Sequence, residues 1–226
     1  MNCKLPYIQH NLELSKYEIV HSGWNKIWKT QGKIRYDVEP QDVSEEFELE
    51  LTINNFLDAV VIVPYTLEPE PHVYLTSCFR PTKDFCSKNY LAFPEEKGVG
   101  NTWELPAGGV DPEESKLLIK GYKMAAAREL KEETGLIVNE DELSFLGKRV
   151  FSGTGGERLF FLDIEIKNEN KVPITGDGHP LERHNQVFKI SLDEAFKHIE
   201  SGYLTDAKTE IGLNRLYKKL QGKNNA

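Results

Sequence analysis

The chain has 226 residues, enough for one elaborate domain or a domain with a smaller appendage, and enough to bury a core without a disulfide or a structural metal. With 28 Lys and Arg against 36 Asp and Glu its formal net charge is −8, which counts against broad binding to nucleic acid or anionic membranes. Three cysteines (Cys3, Cys78, Cys86) cannot all pair within one chain, and no run approaches the ~18 apolar residues of a membrane span, so a soluble cytoplasmic protein with reduced thiols is expected.

Tyr17–Val20, Asn25–Thr30 and Lys33–Asp37 read as short strands broken by Gly23 and Gly32, a small N-terminal β-meander within residues 1–50. The acidic stretch from Glu39 to Glu50 reads as a solvated strand edge or linker. The signal then changes, and residues 51–226 are expected to form the main domain. Ala59–Val63 is a continuous run of the kind that buried strands carry, ended by Pro64, and His72–Phe79 is a second strand. Residues 82–101 read as a long loop, and Trp103–Leu105 leads into Pro106-Ala107-Gly108-Gly109. A helix is best supported over Lys123–Thr134 and is stopped by Gly135. Leu143–Val150, Arg158–Ile166 and Val187–Ile190 read as strands, Ser191 caps a helix over Leu192–Ser201, and a last helix runs over Ala207–Leu220. Such irregular alternation predicts an α+β or α/β sandwich with a mixed sheet.

The segment that carries chemistry is Leu105 to Gly109 followed by Ala126 to Leu136. On a helix Glu129, Glu132 and Glu133 fall within an arc of about 100°, with Leu130 and Ala127 to one side for packing. Three carboxylates crowded on one face repel unless a cation sits among them. Arg128, four residues before Glu132, can neutralise one. The other two need a metal, and an all-oxygen donor set suits Mg²⁺ or Mn²⁺ rather than Zn²⁺. Hard cations held by few carboxylates usually go with substrate phosphates.

This segment resembles the Nudix box, G-x5-E-x7-R-E-U-x-E-E-x-G-U with U aliphatic, and Arg128-Glu129-Leu130-Lys131-Glu132-Glu133-Thr134-Gly135-Leu136 matches every specified position. The spacing from Gly109 to Arg128 is five residues longer than the consensus, which places an insertion within Ser115–Met124 and leaves Glu113 or Glu114 as the equivalent of the first glutamate. Over roughly residues 57–220, Phe79-Arg80-Pro81, the loop Ser152–Arg158 and Asp206-Ala207-Lys208-Thr209 are similar to the ADP-ribose and nucleotide-sugar pyrophosphatase branch, although no proline follows Ser152.

The resemblance implies an α/β/α sandwich of α+β class with a mixed sheet, in which the N-terminal meander serves as a homodimerisation region. It implies Mg²⁺- or Mn²⁺-dependent hydrolysis of a nucleotide sugar, a small-molecule substrate, with no nucleic-acid or membrane partner. Glu129 and Glu133 would be the principal metal ligands, Glu132 a further ligand or an outer partner, and the Ala107 carbonyl one more oxygen. Gly109, Arg128 and Gly135 would be structural members of the box. Glu157, after a glycine-rich loop, is the candidate general base or third-metal ligand, unless it pairs with Arg158. Arg80 either clamps a substrate phosphate or bridges to an acidic strand. Trp24, Trp28 and Tyr36 are core residues or stack a nucleobase, and His179 and His184 are expected to face solvent. The rivals are another Nudix substrate class (nucleoside triphosphates, dinucleoside polyphosphates or capped RNA ends) and a nucleotide-sugar sensor without catalysis.

Overall fold

The computed structural model describes residues 10–23, 25–36, 41–89, 100–151, 156–176 and 185–224. The chain divides into two compact units. One runs as far as Leu57 and includes Phe151 and Glu157; the other holds Asp58 to Val150 and the chain from Arg158 onward.

The first unit is an antiparallel meander of β1 (His10–Ser22), β2 (Asn25–Tyr36) and β3 (Phe47–Asn54), in that spatial order. Its strands differ from the expectation. Gly32 does not break a strand; it lies inside β2, where an added Cβ would stand 2.7 Å from the Glu13 carbonyl oxygen of β1. The glycine marks a close approach of two backbones rather than a turn. The third strand lies in the acidic stretch, because Phe47, Leu49, Leu51 and Ile53 alternate there with Glu48, Glu50 and Thr52. A register shift between Leu14 and Lys16 keeps Leu12, Leu14, Tyr17 and Ile19 opposite Ile34, Gly32, Thr30 and Trp28, so these four share one face with Phe47, Leu49 and Leu51 of β3. On β1 those four remain exposed.

The second unit is built on β4 (Asp58–Thr66), β5 (His72–Phe79), β6 (Asn101–Glu104), β7 (Ala107–Gly109), β8 (Ser144–Phe145), β9 (Val150–Phe151), β10 (Arg158–Glu165) and β11 (Val187–Ser191). The described strands run in the order β11-β5-β4-β10-β8, with β6 on β5, β7 on β4 and β9 on β10. β4 and β10 are parallel, Asp58 opposite Arg158 through Tyr65 opposite Glu165, and the other registered pairs are antiparallel. Every residue of β4 is buried, as its unbroken apolar run requires of a strand covered on both faces. Pro64 does not end it. The Ile62 N–H donates to the Pro106 carbonyl, away from β10, and Pro64 points the same way in the gap between β7 and β5, so its missing N–H removes no ladder bond there.

The helices are α1 (Pro81–Asn89), α2 (Pro112–Lys116), α3 (Ile119–Thr134), α4 (Leu192–Glu200) and α5 (Ala207–Asn224). The period-2 alternation of the central strands sorts the core into two layers. Val60, Ile62 and Leu162 pack with Ala125, Ala126 and Leu130 of α3. Val61, Val63 and Phe161 pack with Ala195 of α4 and Leu213 and Leu216 of α5. This is the expected α/β/α sandwich.

Other boundaries are corrected. The segment read as a loop from residue 82 begins as α1, whose Pro81 suits a first helical position. The box helix begins at Ile119 rather than Lys123. Leu143–Val150 is not one strand: β8 and β9 are separated at Gly147, where φ is +86°. Ser191 caps α4 as expected, its hydroxyl accepting the Glu194 N–H at 3.2 Å.

Candidate functional site

The box helix α3 buries Ala125, Ala126 and Leu130 against the sheet, which turns the carboxylates toward the loop between β6 and β7. It stops at Gly135, left-handed at φ +73°, whose N–H caps the Lys131 carbonyl. The Val172 carbonyl lies 2.2 Å from where a Cβ would stand, so the position excludes a side chain twice over.

Arg128 is the hub. Its Nη1 donates to Glu129 at 2.6 Å and to Glu132 at 3.4 Å, its Nη2 to the Gly109 carbonyl at 3.0 Å. Nε and Nη2 also reach the two oxygens of Glu114 at 3.2 and 3.1 Å. The choice left open by the insertion is thereby made: Glu114 faces the box arginine, while Glu113 pairs with Lys116 on the surface. Burial opposes the charge on Arg128, but the hydrogen bond to Glu114 and the Glu129 carboxylate hold its pKa above the ordinary arginine value. The extra residues form the Leu117-Leu118 turn between α2 and α3, with Leu118 at φ +53°, and they extend α3 backward by a turn.

The other two metal candidates meet the loop. Glu133 Oε2 accepts the Ala107 N–H at 3.3 Å and lies 3.5 Å from Thr76 Oγ1. Glu129 lies against Gly108, where an added Cβ would come within 2.1 Å of its carboxyl carbon. Gly108 therefore leaves room for a carboxylate beside the backbone, a need that the sequence signals only as one of two adjacent glycines. Three carboxylates with one arginine among them form an all-oxygen, hard donor set that fits a divalent cation such as Mg²⁺ or Mn²⁺. Among the described residues no three acidic, histidine or cysteine side chains converge on one point as a closed cage does. An open set of this kind suits a cation that keeps waters and takes further oxygens from substrate phosphates.

Arg80 follows β5 and forks onto Glu104 of β6, Nε to Oε1 at 2.9 Å and Nη2 to Oε2 at 2.5 Å. The bridge to an acidic strand is thus present, while about half of the Arg80 side chain, 51%, stays exposed. Glu104 is a residue that sequence reasoning missed. Its only signal is a carboxylate set between Trp103 and Leu105. Burial would raise its pKa, but Arg80 and Lys208 hold it down to about 2. Cys78 sits in the same neighbourhood, its thiol pushed up to about 11 by burial and by Glu104, which makes it a poor nucleophile.

Glu157 belongs to the first unit, where Asn54 Nδ2 donates to it at 3.4 Å. Arg158, the first residue of β10, forks onto buried Asp58 at 2.5 and 2.8 Å, and Asp58 also accepts the Tyr122 hydroxyl. Trp28 packs on Tyr17, ring centroids 5.8 Å apart. Trp24, Ser152–Gly155, His179 and His184 lie outside the described residues. Among the described residues no helix is long and apolar enough to cross a membrane.

The family model of the NUDIX domain matches residues 88–203, just over half of the chain. The chain belongs to the Nudix family. Nudix hydrolases use divalent metal ions and act on small nucleotide substrates, and this chain, with Arg128, Glu129, Glu132 and Glu133 of the box in place, is a Nudix pyrophosphatase. A crystal structure of an ADP compounds hydrolase superposes with a TM-score of 0.68 over 98% of this chain and 100% of that one, at 18% identity. At that identity the likeness is one of fold, and it extends beyond the Nudix match to β1–β3 and α5. No curated protein matches the sequence.

Proposed function

We propose that this Nudix protein hydrolyses the diphosphate of a nucleoside diphosphate sugar, such as ADP-ribose or UDP-glucose, to nucleoside monophosphate and sugar 1-phosphate, with Mg²⁺ or Mn²⁺. The observation that carries the reading is the pairing of Glu129 with Gly108 and of Glu133 with the Ala107 N–H, which holds two carboxylates along one loop. Glu129, Glu133 and the Ala107 carbonyl would hold the cation, with Glu132 beside them. A cation held there would supply charge to neutralise the non-bridging phosphate oxygens and so favour in-line attack at phosphorus. The chain's own residues do the rest. Arg128 screens Glu129 and Glu132 from each other, and Arg80 presents its exposed part to the second phosphate. Glu157 takes the proton of the attacking water as the new P–O bond forms and the bridging P–O bond breaks.

The apolar face of the β1–β3 meander supports a homodimer in which a second copy covers Leu12, Leu14, Tyr17 and Ile19. We assign the reaction to the cytoplasm, where a thiol such as Cys78 stays reduced. The test is a panel of nucleotide sugars, nucleoside triphosphates and dinucleoside polyphosphates assayed with Mg²⁺ or Mn²⁺ by phosphatase-coupled phosphate release. Turnover confined to nucleotide sugars supports the reading. Turnover of another class, or binding of nucleotide sugars without their turnover, overturns the substrate reading.

A further inference from the structure

The fork between Arg80 and Glu104 is one link of a longer chain of contacts. Glu104 is 3% exposed, and besides Arg80 its carboxylate accepts the Thr102 hydroxyl at 2.5 Å and the Lys208 ammonium. Lys208 also donates to Asp206 Oδ1 at 3.0 Å. The other oxygen of Asp206 accepts the Thr209 N–H at 2.8 Å and its hydroxyl at 2.6 Å, capping the start of α5. Thr209 Oγ1 in turn accepts the Leu105 N–H at 2.8 Å. The first turn of α5 therefore grips β6 twice, at the Glu104 side chain and at the next backbone N–H. Two residues further on, Ala107 meets Glu133.

The arrangement has a consequence for Arg80. Arg80 and Lys208 meet Glu104 and Asp206, two cations on two carboxylates, so the cluster adds no surplus charge; what it supplies is a held guanidinium with about half of its side chain exposed. Its plane is fixed by two bonds, which lowers the loss of side-chain freedom when an anion docks. Thr76 Oγ1 lies 3.4 Å from the Glu104 carbonyl and 3.5 Å from Glu133 Oε2, so a single hydroxyl links the residue that holds the arginine to the box carboxylates.

We infer that Lys208 and Glu104 are positioning residues for diphosphate binding: Lys208, acting through Glu104, holds the Arg80 guanidinium ready for a substrate phosphate. The inference rests on the reading of Arg80 as a phosphate contact but not on which sugar or base the substrate carries. The probe is inorganic pyrophosphate with Mg²⁺, titrated calorimetrically into the full chain. Lys208→Met and Arg80→Met should each weaken pyrophosphate about ten-fold, the range for one charge-assisted hydrogen bond. The double variant should be no weaker than Arg80→Met within about two-fold, because both act on one contact. Lys208→Arg should restore affinity to within about three-fold of the wild type, and with a turned-over substrate the losses should fall on KM rather than kcat. If Lys208→Met does not fold, Lys208→Gln, which keeps a donor to Glu104 without the charge, takes its place. Wild-type pyrophosphate affinity in Lys208→Met, or a double variant showing the product of the two single losses, overturns the inference. If pyrophosphate behaves as expected while no nucleotide sugar is hydrolysed, the substrate reading falls and the positioning role stands.

Discussion

Gly121→Ala sets helix propensity against packing, and the structure decides the sign. Gly121 lies in the first turn of α3, where alanine would by propensity alone favour the helix by about 0.8–1 kcal/mol. A Cβ there would stand 1.6 Å from the carbonyl oxygen of Glu114 and 2.5 Å from its carbonyl carbon, both backbone atoms of α2. Ordinary contact needs about 3.5 Å, so α2 must retreat by roughly 2 Å. Such a shift breaks the bonds from Glu114 to Arg128, now 3.1 and 3.2 Å long. Overpacking costs about 1–3 kcal/mol and the loss of charge-assisted bonds about 1.5–3, against a gain near 1, leaving a net destabilisation of about 1.5–5 kcal/mol. For a chain of this size that lowers the melting temperature by roughly 3–20 °C. Freed of Glu114, Arg128 also lets Glu129 and Glu132 shift, so kcat should fall by about 10- to 100-fold. The control is Gly222→Ala near the end of α5, where nothing lies within 4 Å of the added carbon and stability should hold or rise slightly. Thermal melts and urea titrations of both variants check the prediction. A Gly121→Ala protein as stable as the wild type would refute the seating of α2 on α3 at this glycine.

Glu133→Gln keeps the fold while removing a charge the cation needs, and steady-state kinetics should show at least a ~100-fold loss in kcat; hydrolysis at the wild-type rate would overturn its role as a ligand. Glu157→Gln should hold KM within a few-fold and lower kcat by ~10²–10⁴, and an unchanged kcat moves the base elsewhere. Glu104, its pKa lowered from 4.5 to about 2 on folding, contributes stability that is fully present above about pH 4.5 and is lost as pH falls toward 2. Urea midpoints of the wild type and Glu104→Gln should therefore converge over that window, the gap closing by about 3 kcal/mol, whereas a gap independent of pH would show that the carboxylate is not held ionised. Light scattering at micromolar concentration should give a dimer of 25.8 kDa chains, and a monomer would refute the covered meander face.

The sequence alone determined the features that have a local cause. The box helix, the carboxylates on one face, the stop at Gly135 and the buried run of β4 follow from periodicity and backbone chemistry within a few residues. So does the sandwich, since alternating strands and helices with one apolar face each have few ways to cover one another. Tertiary structure decided what depends on residues distant in the chain. The sequence offers Glu113 and Glu114 equally; Glu114 is the one that faces Arg128 because α2 folds back onto Gly121. Gly32 and Pro64 look like breaks, and both are accommodated inside strands because of what lies beside them: the β1 backbone at Gly32 and a gap between pairing strands at Pro64. Glu104 carried no motif at all, since the groups that make its burial tolerable, Arg80 and Lys208, lie 24 residues before it and 104 after it. A buried charge is stable only with its partners, and partners brought together by the fold leave no spacing to read.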